Sequence, residues 1–173
     1  MRIIAGKLKG KKILNPTDKS TRPLKDIVKE SIFNIIEHSN DEFINLNGAK
    51  ILDLFSGTGS FGIECLSRGA EKVIFLENYL NSIKILKKNL DLLKLNKYSK
   101  IIKKDVYNIS NYQLYCKKFD LIFLDPPFKN NNINKLIKKI KEMKITSEKS
   151  LIIIHRNKKT VENVSKELII SKE

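Results

Sequence analysis

LDLFSGTGSFGIE, residues 52–64, is the stretch that decides the fold of this 173-residue chain. A short apolar run leads into three glycines, Gly57, Gly59 and Gly62, and a helical pattern follows them. Glycine permits a tight turn and a close approach of the backbone to a ligand. The spacing G-x-G-x-x-G also occurs where a dinucleotide binds at the end of a strand. The stretch therefore predicts a strand, a ligand-binding loop and a helix, and it leaves open which ligand the loop holds.

From residue 50 onward the chain alternates between strand and helix patterns. Short apolar runs rich in β-branched residues predict buried strands at residues 50–55, 72–77, 100–105, 119–125 and 150–156. Between them lie three helical stripes, one from Ser60 to Gly69, one with Ile83, Leu86, Leu90 and Leu93, and one with Ile133, Leu136, Ile137 and Ile140. This alternation predicts an α/β fold with a mostly parallel sheet and helices on both faces.

The N-terminal part has a different pattern. Residues 1–14 alternate apolar and basic side chains around Gly6 and Gly10, which predicts a short β-ribbon. Residues 21–23, Thr-Arg-Pro, predict the start of an amphipathic helix that runs to about His38. We therefore divide the chain into an N-terminal arm and helix, residues 1–45, and a core, residues 46–173, within one domain of the usual size.

The composition bounds the class of protein. The net charge of +15 favours a polyanionic partner, although a solvated lysine-rich surface would give the same number. Residues 1–29 hold nine basic side chains, Lys29 among them, and such an arm can neutralise phosphates. No apolar run has the length of a membrane span or a signal peptide. Cys65 and Cys116 show no metal-site or disulfide spacing, so we expect a cytoplasmic monomer without a metal.

Four acidic residues mark the carboxyl ends of four predicted strands. They are Asp53, Glu77, Asp105 and Asp125. An acid at a strand end is often only a turn residue or a helix cap. In parallel sheets, however, ligands bind beyond the carboxyl ends of the strands. Four acids on four strands therefore predict one shared crevice.

The position of Asp53, four residues before Gly57, resembles motif I of class I S-adenosylmethionine-dependent methyltransferases. An acid there can pair with the ammonium group of that cofactor, whereas it would repel a pyrophosphate. Glu77 is placed to accept hydrogen bonds from the ribose hydroxyls, a role that NAD enzymes share. Asp105 resembles the residue that contacts the adenine amino group, and Val106 would add backbone and apolar contact to the ring. Phe55, Gly59 and Asn78 complete the core residues of the expected cofactor site.

The segment LDPPF, residues 124–128, indicates the chemistry. Two prolines after a strand fix the backbone and leave outward-facing carbonyl acceptors beside a carboxylate. Together Asp125, Pro126, Pro127 and Phe128 resemble the motif [DNS]-P-P-[YFW] of methyltransferases that modify a planar amine. The Asp125 carboxylate can only accept hydrogen bonds, which suits the two adjacent N–H donors on the edge of guanine. This favours methylation of guanine N2 over adenine N6. Since some adenine methyltransferases also carry D-P-P-Y, an N6-adenine methyltransferase on DNA or RNA remains the alternative.

The chain resembles one family from residue 1 to about 156, the RsmD-type 16S rRNA guanine-N2 methyltransferases. The resemblance rests on MRIIAGKLKGKKI, on T-R-P with VKESIFNII, on DLFSGTGSFGIECLSRGA and on LIFLDPPF. It implies methyl transfer from S-adenosylmethionine to 16S rRNA of the small ribosomal subunit or its assembly intermediate. It further implies that Arg22 lies near the cofactor and that Asp125 and Phe128 hold the guanine. The RNA contacts it implies are Lys7, Lys9, Lys11 and Lys12.

Two departures from the family pattern accompany this resemblance. Leu24 stands where the family has Thr, and the chain ends at LIISKE, where relatives continue with a final strand. We therefore expect the sheet to lack its last antiparallel strand. For His155, at the end of a predicted strand, we expect a structural role. A glutamine N5-methyltransferase, an NAD oxidoreductase and a non-catalytic RNA-binding protein are less consistent with these motifs.

Overall fold

Five parallel strands form the sheet of the computed structural model, which describes residues 1–16, 24–38, 44–110, 114, 118–127 and 132–156. The strands are β1 (Lys50–Leu54), β2 (Lys72–Glu77), β3 (Ser99–Lys103), β4 (Phe119–Leu124) and β5 (Thr146–Ile154). Their order in the sheet is β3-β2-β1-β4-β5. The order reverses at β1, which pairs with both β2 and β4. The predicted parallel sheet is confirmed, and its switch point lies at the glycine loop after β1.

In the described ranges, four longer helices cover the two faces of this sheet. They are α1 (Asp26–His38), α2 (Ser60–Ser67), α3 (Leu80–Leu92) and α4 (Ile133–Glu142). Successive side chains of a strand point to opposite faces. Ile51 accordingly packs with the apolar residues of α1, α2 and α3, whereas Leu52 and Leu54 pack with those of α4. The predicted helices on both faces are therefore present. None of the described helices is long and apolar enough to cross a membrane.

Some predicted boundaries were wrong. Asp105 and Asp125 lie just after β3 and β4, and α1 begins at Asp26, beyond Pro23. Strand β5 begins at Thr146, well before residue 150. Its register against β4 shifts between Phe119 and Leu121, which leaves an irregularity in the strand pairing after Thr146. Residues 147–149 lie at this irregularity, and because they are polar they do not show the apolar pattern of a strand. Residues 17–23 and those after 156, which bear on the predicted helix start and the missing strand, lie outside the described residues.

The N-terminal ribbon is an antiparallel pair around a short 3-10 turn, Gly6–Leu8. Arg2 and Lys12 form its bridge, while Ile3 and Ile13 are buried in the same apolar cluster as α1 and α2. Gly6 has a φ of 78°, and a Cβ there would overlap the carbonyl of Ser67 at the end of α2. The ribbon is thus packed directly on α2, as the alternation of apolar and basic side chains requires.

The predicted phosphate-binding arm includes Lys29, and at this position the prediction is wrong. Its side chain is completely buried, and so is that of Glu64 on α2. The Lys29 ammonium group donates to the carbonyl of Arg2 at 2.8 Å, and the Glu64 carboxylate accepts from the backbone N–H groups of Ile4 and Ala5. A charge in this position has no access to an RNA phosphate. Lys29 instead joins α1 to the ribbon.

Candidate active site

A cavity of about 570 Å³ opens at the carboxyl ends of the strands. Its volume lies within the roughly 300–1,000 Å³ of small-molecule and cofactor sites. All four acids that mark the strand ends, Asp53, Glu77, Asp105 and Asp125, line it. They come together because the carboxyl ends of neighbouring parallel strands meet at one edge of the sheet.

Asp53 lies at the floor of this cavity and is only 1% exposed. Its carboxylate accepts from the backbone N–H of Gly62 in the first turn of α2, at 3.0 Å. Burial raises the pKa of Asp53 well above its usual value, and the negative charges of Asp125 and Glu77 raise it further. The hydrogen bond from Gly62 opposes that shift. A cationic ligand would stabilise this buried carboxylate.

The loop after β1 holds its backbone in left-handed conformations. Phe55, Gly57 and Gly59 have φ angles of 59°, 55° and 84°. A non-glycine residue in this region is uncommon, and such strain concentrates at ligand-binding sites. At Gly59, a Cβ would overlap the side chain of Leu86 on α3. Phe55 and Gly57 line the cavity, while Gly59 lies behind the loop and allows the chain to enter α2.

Glu77 is held rigidly at the end of β2. One carboxylate oxygen accepts from the N–H of Gly57 at 2.7 Å, and the other accepts from the N–H groups of Asn78 and Tyr79. Each carboxylate oxygen can accept more than one hydrogen bond. Three of about four acceptor positions of the Glu77 carboxylate are thus occupied, which leaves about one for the hydroxyl groups of a ligand.

Asp105 is in the expected place, but its neighbour Val106 is not. The Asp105 carboxylate accepts from the N–H of Tyr107 at 2.8 Å and lines the cavity. The chain then forms a 3-10 turn, Val106–Asn108, that turns Val106 into the apolar core, where it is 3% exposed. Val106 is therefore not among the cavity residues, whereas Tyr107 is, and the backbone and apolar contact of Val106 to the adenine ring stays a prediction.

The segment after β4 and the end of β5 lie side by side. Asp125, Pro126 and Pro127 line the cavity, and the Asp125 carboxylate is 2.8 Å from Nδ1 of His155. His155 also lines the cavity, and the structural role expected from the sequence stays a prediction. The Arg156 guanidinium donates to the carbonyl of Pro127 at 3.4 Å. Phe128 and Arg22, two further predicted site residues, lie outside the described residues.

The sequence prediction also missed several residues of the cavity wall. Three belong to the glycine loop and its helix, two are tyrosines that follow the acids of β2 and β3, and others come from α1 and the residues just before it. They are Ser56, Thr58, Ser60, Tyr79, Tyr107, Leu24, Lys25 and Val28. The two tyrosines could have been predicted from the sequence, because each stands two positions after a strand-end acid. For α1 there was none, because its position depends on tertiary packing.

The basic ribbon is attached to the glycine loop through Asn89 of α3. The Asn89 amide exchanges two hydrogen bonds with the backbone of Leu14 and donates to the carbonyl of Thr58 at 3.0 Å. The predicted RNA contacts Lys7, Lys9, Lys11 and Lys12 are on this ribbon, and their side chains are accessible to solvent. The ribbon therefore presents its charges to solvent and ends beside the cavity.

The cavity residues fit S-adenosylmethionine, whose amino-acid end carries an ammonium group beside a sulfonium. Its ammonium and sulfonium groups outweigh its single carboxylate by one positive charge, so a cavity lined by four acidic side chains favours it, whereas the same acids would repel a pyrophosphate. The hydroxyl of Ser56 is buried in the cavity wall and has no hydrogen-bond partner among the described residues, so it can serve a ligand. Within those residues there is also no group of three His, Cys, Asp or Glu side chains that could hold a metal.

Comparison with known proteins agrees with this geometry. A family model described as "Conserved hypothetical protein 95" matches residues 1–173. YlbH of Bacillus subtilis, named a putative rRNA methyltransferase, is 36% identical over 159 residues, which are 91% of this chain and 83% of that protein. The protein "Ribosomal RNA small subunit methyltransferase D" of Haemophilus influenzae is 34% identical over 159 residues, 91% of this chain and 79% of that one.

A crystal structure of a protein from Haemophilus influenzae superposes with a TM-score of 0.72 at 32% identity, covering 96% of this chain and 86% of that one. The glycine loop, the strand-end acids and the D-P-P segment occur here on the Rossmann-like fold of class I methyltransferases. The chain therefore belongs to the family of conserved hypothetical protein 95, the RsmD-type methyltransferases.

Proposed function

We propose that this protein transfers a methyl group from S-adenosylmethionine to the exocyclic N2 of a guanine in 16S rRNA of the small ribosomal subunit. The observation that carries the proposal is the position of Asp125 and its two prolines at the rim of an acidic cavity. A small-subunit rRNA methyltransferase from Haemophilus influenzae is 34% identical to this chain. Such a substrate places the protein in the cytoplasm, where we expect it to act as a monomer.

The cofactor half of the site comprises residues at or just after the carboxyl ends of β1, β2 and β3. Glu77 accepts from the ribose hydroxyls, Asp105 from the adenine amino group, and Asp53 stabilises the ammonium group. Phe55 and Asn78 line the remaining wall. When bound, S-adenosylmethionine supplies an electrophilic methyl group on a sulfonium. The assignment of Arg22 to this half stays a prediction from the family.

The target half comprises Asp125, Pro126 and Pro127. An exocyclic base amine is a poor nucleophile because its lone pair is delocalised into the ring. The Asp125 carboxylate and the neighbouring carbonyls accept its N–H groups, which orients the nitrogen and stabilises the positive charge that develops on it. Phe128 would stack on the base. The base must leave its stack, at a cost of a few kcal/mol that a loop nucleotide lowers.

The alternative is N6-adenine methylation, and one experiment separates the two. Small subunits from cells lacking the modification are incubated with radiolabelled S-adenosylmethionine, and the nucleosides are then analysed. Label in N2-methylguanosine supports the proposal, whereas label in N6-methyladenosine would replace it with the alternative.

The D125A variant tests the role of Asp125 in the same assay. It should bind the cofactor as the wild type does and transfer methyl groups at least about 100-fold more slowly, the loss typical of removing one group that stabilises developing charge. Full turnover by D125A would contradict the role.

A further inference from the structure

Asp125 is in direct contact with His155. His155 Nδ1 is 2.8 Å from Asp125 Oδ1, and both side chains are 23% exposed at the cavity. Oδ2 of Asp125 has no hydrogen-bond partner among the described residues. The two oxygens of this carboxylate are therefore in different environments, one held by the protein and one free to meet a ligand.

The contact belongs to a larger attachment between the ends of β4 and β5. The backbone N–H of His155 donates to the carbonyl of Leu124 at 2.9 Å, which continues the strand pairing by one residue. The next residue, Arg156, reaches the carbonyl of Pro127. The end of β5 thus contacts the D-P-P segment at Asp125, before the two prolines, and at the carbonyl of the second proline. Because the prolines restrict the backbone, side-chain rotation of Asp125 is the main freedom left in this segment.

The electrostatic surroundings of Asp125 require such a donor. Asp53 and Glu77 carry like charges in the same cavity, and Asp53 is close enough to Asp125 for its pKa to be raised by it. Among the described residues, the basic side chains that line the cavity or bond to the D-P-P segment are His155, Arg156 and the exposed Lys25. Of these, only His155 has a bond to the Asp125 carboxylate among the described residues. Without it, repulsion from the other acids would favour rotamers that turn Asp125 toward solvent.

We propose that His155 is a positioning residue for methyl transfer: it donates to Oδ1 of Asp125 and thereby holds Oδ2 toward the target amine. The inference rests on the proposed function, since it takes Asp125 as the acceptor for that amine. His155 acts through Asp125 and does not touch the reacting atoms. It should therefore affect the methyl-transfer step and leave cofactor binding unchanged.

The test compares H155A, H155N and H155Q in single-turnover methyl transfer at saturating RNA, with cofactor binding measured by calorimetry. The amide nitrogen of Asn can take the place of Nδ1, whereas that of Gln takes the place of Nε2 and cannot reach Oδ1 in the same way. K118A is the matched control, since Lys118 joins β4 to β5 at their other end by donating to the carbonyl of Thr146 at 2.6 Å.

H155A and H155Q should transfer methyl groups about 10- to 100-fold more slowly, as expected when a reacting group is misplaced by about 1 Å. H155N should stay within a few-fold of the wild type, as should K118A, and all four should bind the cofactor normally. If H155A does not fold, the pair H155N and H155Q carries the comparison.

Equal rates in H155N, H155Q and the wild type would overturn the inference, as would a loss confined to cofactor binding. If the wild type places the label in N6-methyladenosine, only the assignment of guanine as the target is overturned. The rates of the His155 variants would then be measured on that product.

Discussion

The Lys29 ammonium group and the Glu64 carboxylate lie 3.5 Å apart, and neither side chain is exposed to solvent. Glu64 also accepts from Arg68 at 3.0 Å and from the backbone of Ile4 and Ala5. Helices α1 and α2 and the basic ribbon thus meet at one carboxylate. Leaving a buried charge uncompensated costs far more than losing a surface ion pair.

We expect E64Q to lower the free energy of unfolding by about 3–5 kcal/mol, because the buried ammonium group of Lys29 loses the fully buried anion beside it and keeps only Asp26, which is 38% exposed, at 3.7 Å. The matched control is E71Q, since Glu71 pairs with Lys50 at 3.9 Å with both side chains exposed. That substitution should cost less than about 1 kcal/mol. Urea denaturation followed by circular dichroism measures both. Equal effects would contradict the role of Glu64 as the buried attachment of the ribbon.

Substitution of Gly59 by Ala should damage both the fold and the cofactor loop. The residue has a φ of 84°, which costs an L-amino acid about 1–2 kcal/mol, and the added methyl group would overlap the buried Leu86. The double variant G59A/L86A removes the overlap but keeps the backbone strain. It should therefore recover cofactor affinity only in part, as measured by calorimetry. Wild-type affinity in G59A alone would show that the loop tolerates a different backbone path.

Asp53 should make stability depend on pH in the direction opposite to that of a salt-bridged acid. Because its folded-state pKa is raised, the native protein holds this proton more tightly than the unfolded chain does. The stability it provides is complete below the unfolded pKa of about 3.9 and is lost as pH rises through the folded pKa. We expect D53N, which can still accept from Gly62, to be more stable than the wild type at pH 8.

Urea denaturation of D53N and the wild type between pH 4 and 8 tests this sign. The stability difference between them should shrink toward pH 4, where the Asp53 carboxyl group is protonated in the native wild type. D53N should also bind S-adenosylmethionine more weakly, because a neutral amide does not stabilise the ammonium group. A difference that stays constant with pH would mean that the Asp53 charge is already compensated in the native protein.

The ribbon lysines should set the salt dependence of RNA binding. Changing Lys7, Lys9, Lys11 and Lys12 to Gln should reduce the slope of log affinity against log salt by up to about 0.7 for each phosphate that the ribbon no longer neutralises. The control changes Lys84, Lys87, Lys88 and Lys94 of α3 and the residues just after it, which removes the same total charge. Filter binding at several salt concentrations measures the slopes. Equal reductions in both variants would mean that bulk charge attracts the RNA.

The strands and the strand-end acids were predictable because a parallel sheet buries both of its faces and so leaves continuous apolar runs in the sequence. The start of β5 was missed because residues 147–149 are polar at an irregularity of the ladder. The burial of Val106 in the apolar core was not predicted, because the side-chain pattern gives no signal for the 3-10 turn that begins at this residue. These errors are local, and each follows from backbone geometry that the side-chain pattern does not encode.

Two features depend on tertiary structure alone. A lysine in a basic segment is normally exposed, so only the packing of α1 against α2 reveals that Lys29 is buried. The pairing of His155 with Asp125 requires β5 to lie beside β4, a relationship that no local pattern specifies. The division of the chain at residues 45 and 46 stays a prediction, as do the roles of Arg22 and Phe128.

The strand order has a consequence for the time course of folding. Leu54 pairs with Leu76 of β2 on one side and with Leu124 of β4 on the other. The central strand β1 is therefore close in sequence to β2 and far in sequence from β4. Contacts between distant segments form more slowly, and the N-terminal part of a chain emerges first during synthesis. The cofactor half of the site can therefore form before the target half. Pulse-labelling hydrogen exchange during refolding should show amides of β1 and β2 protected before those of β4 and β5.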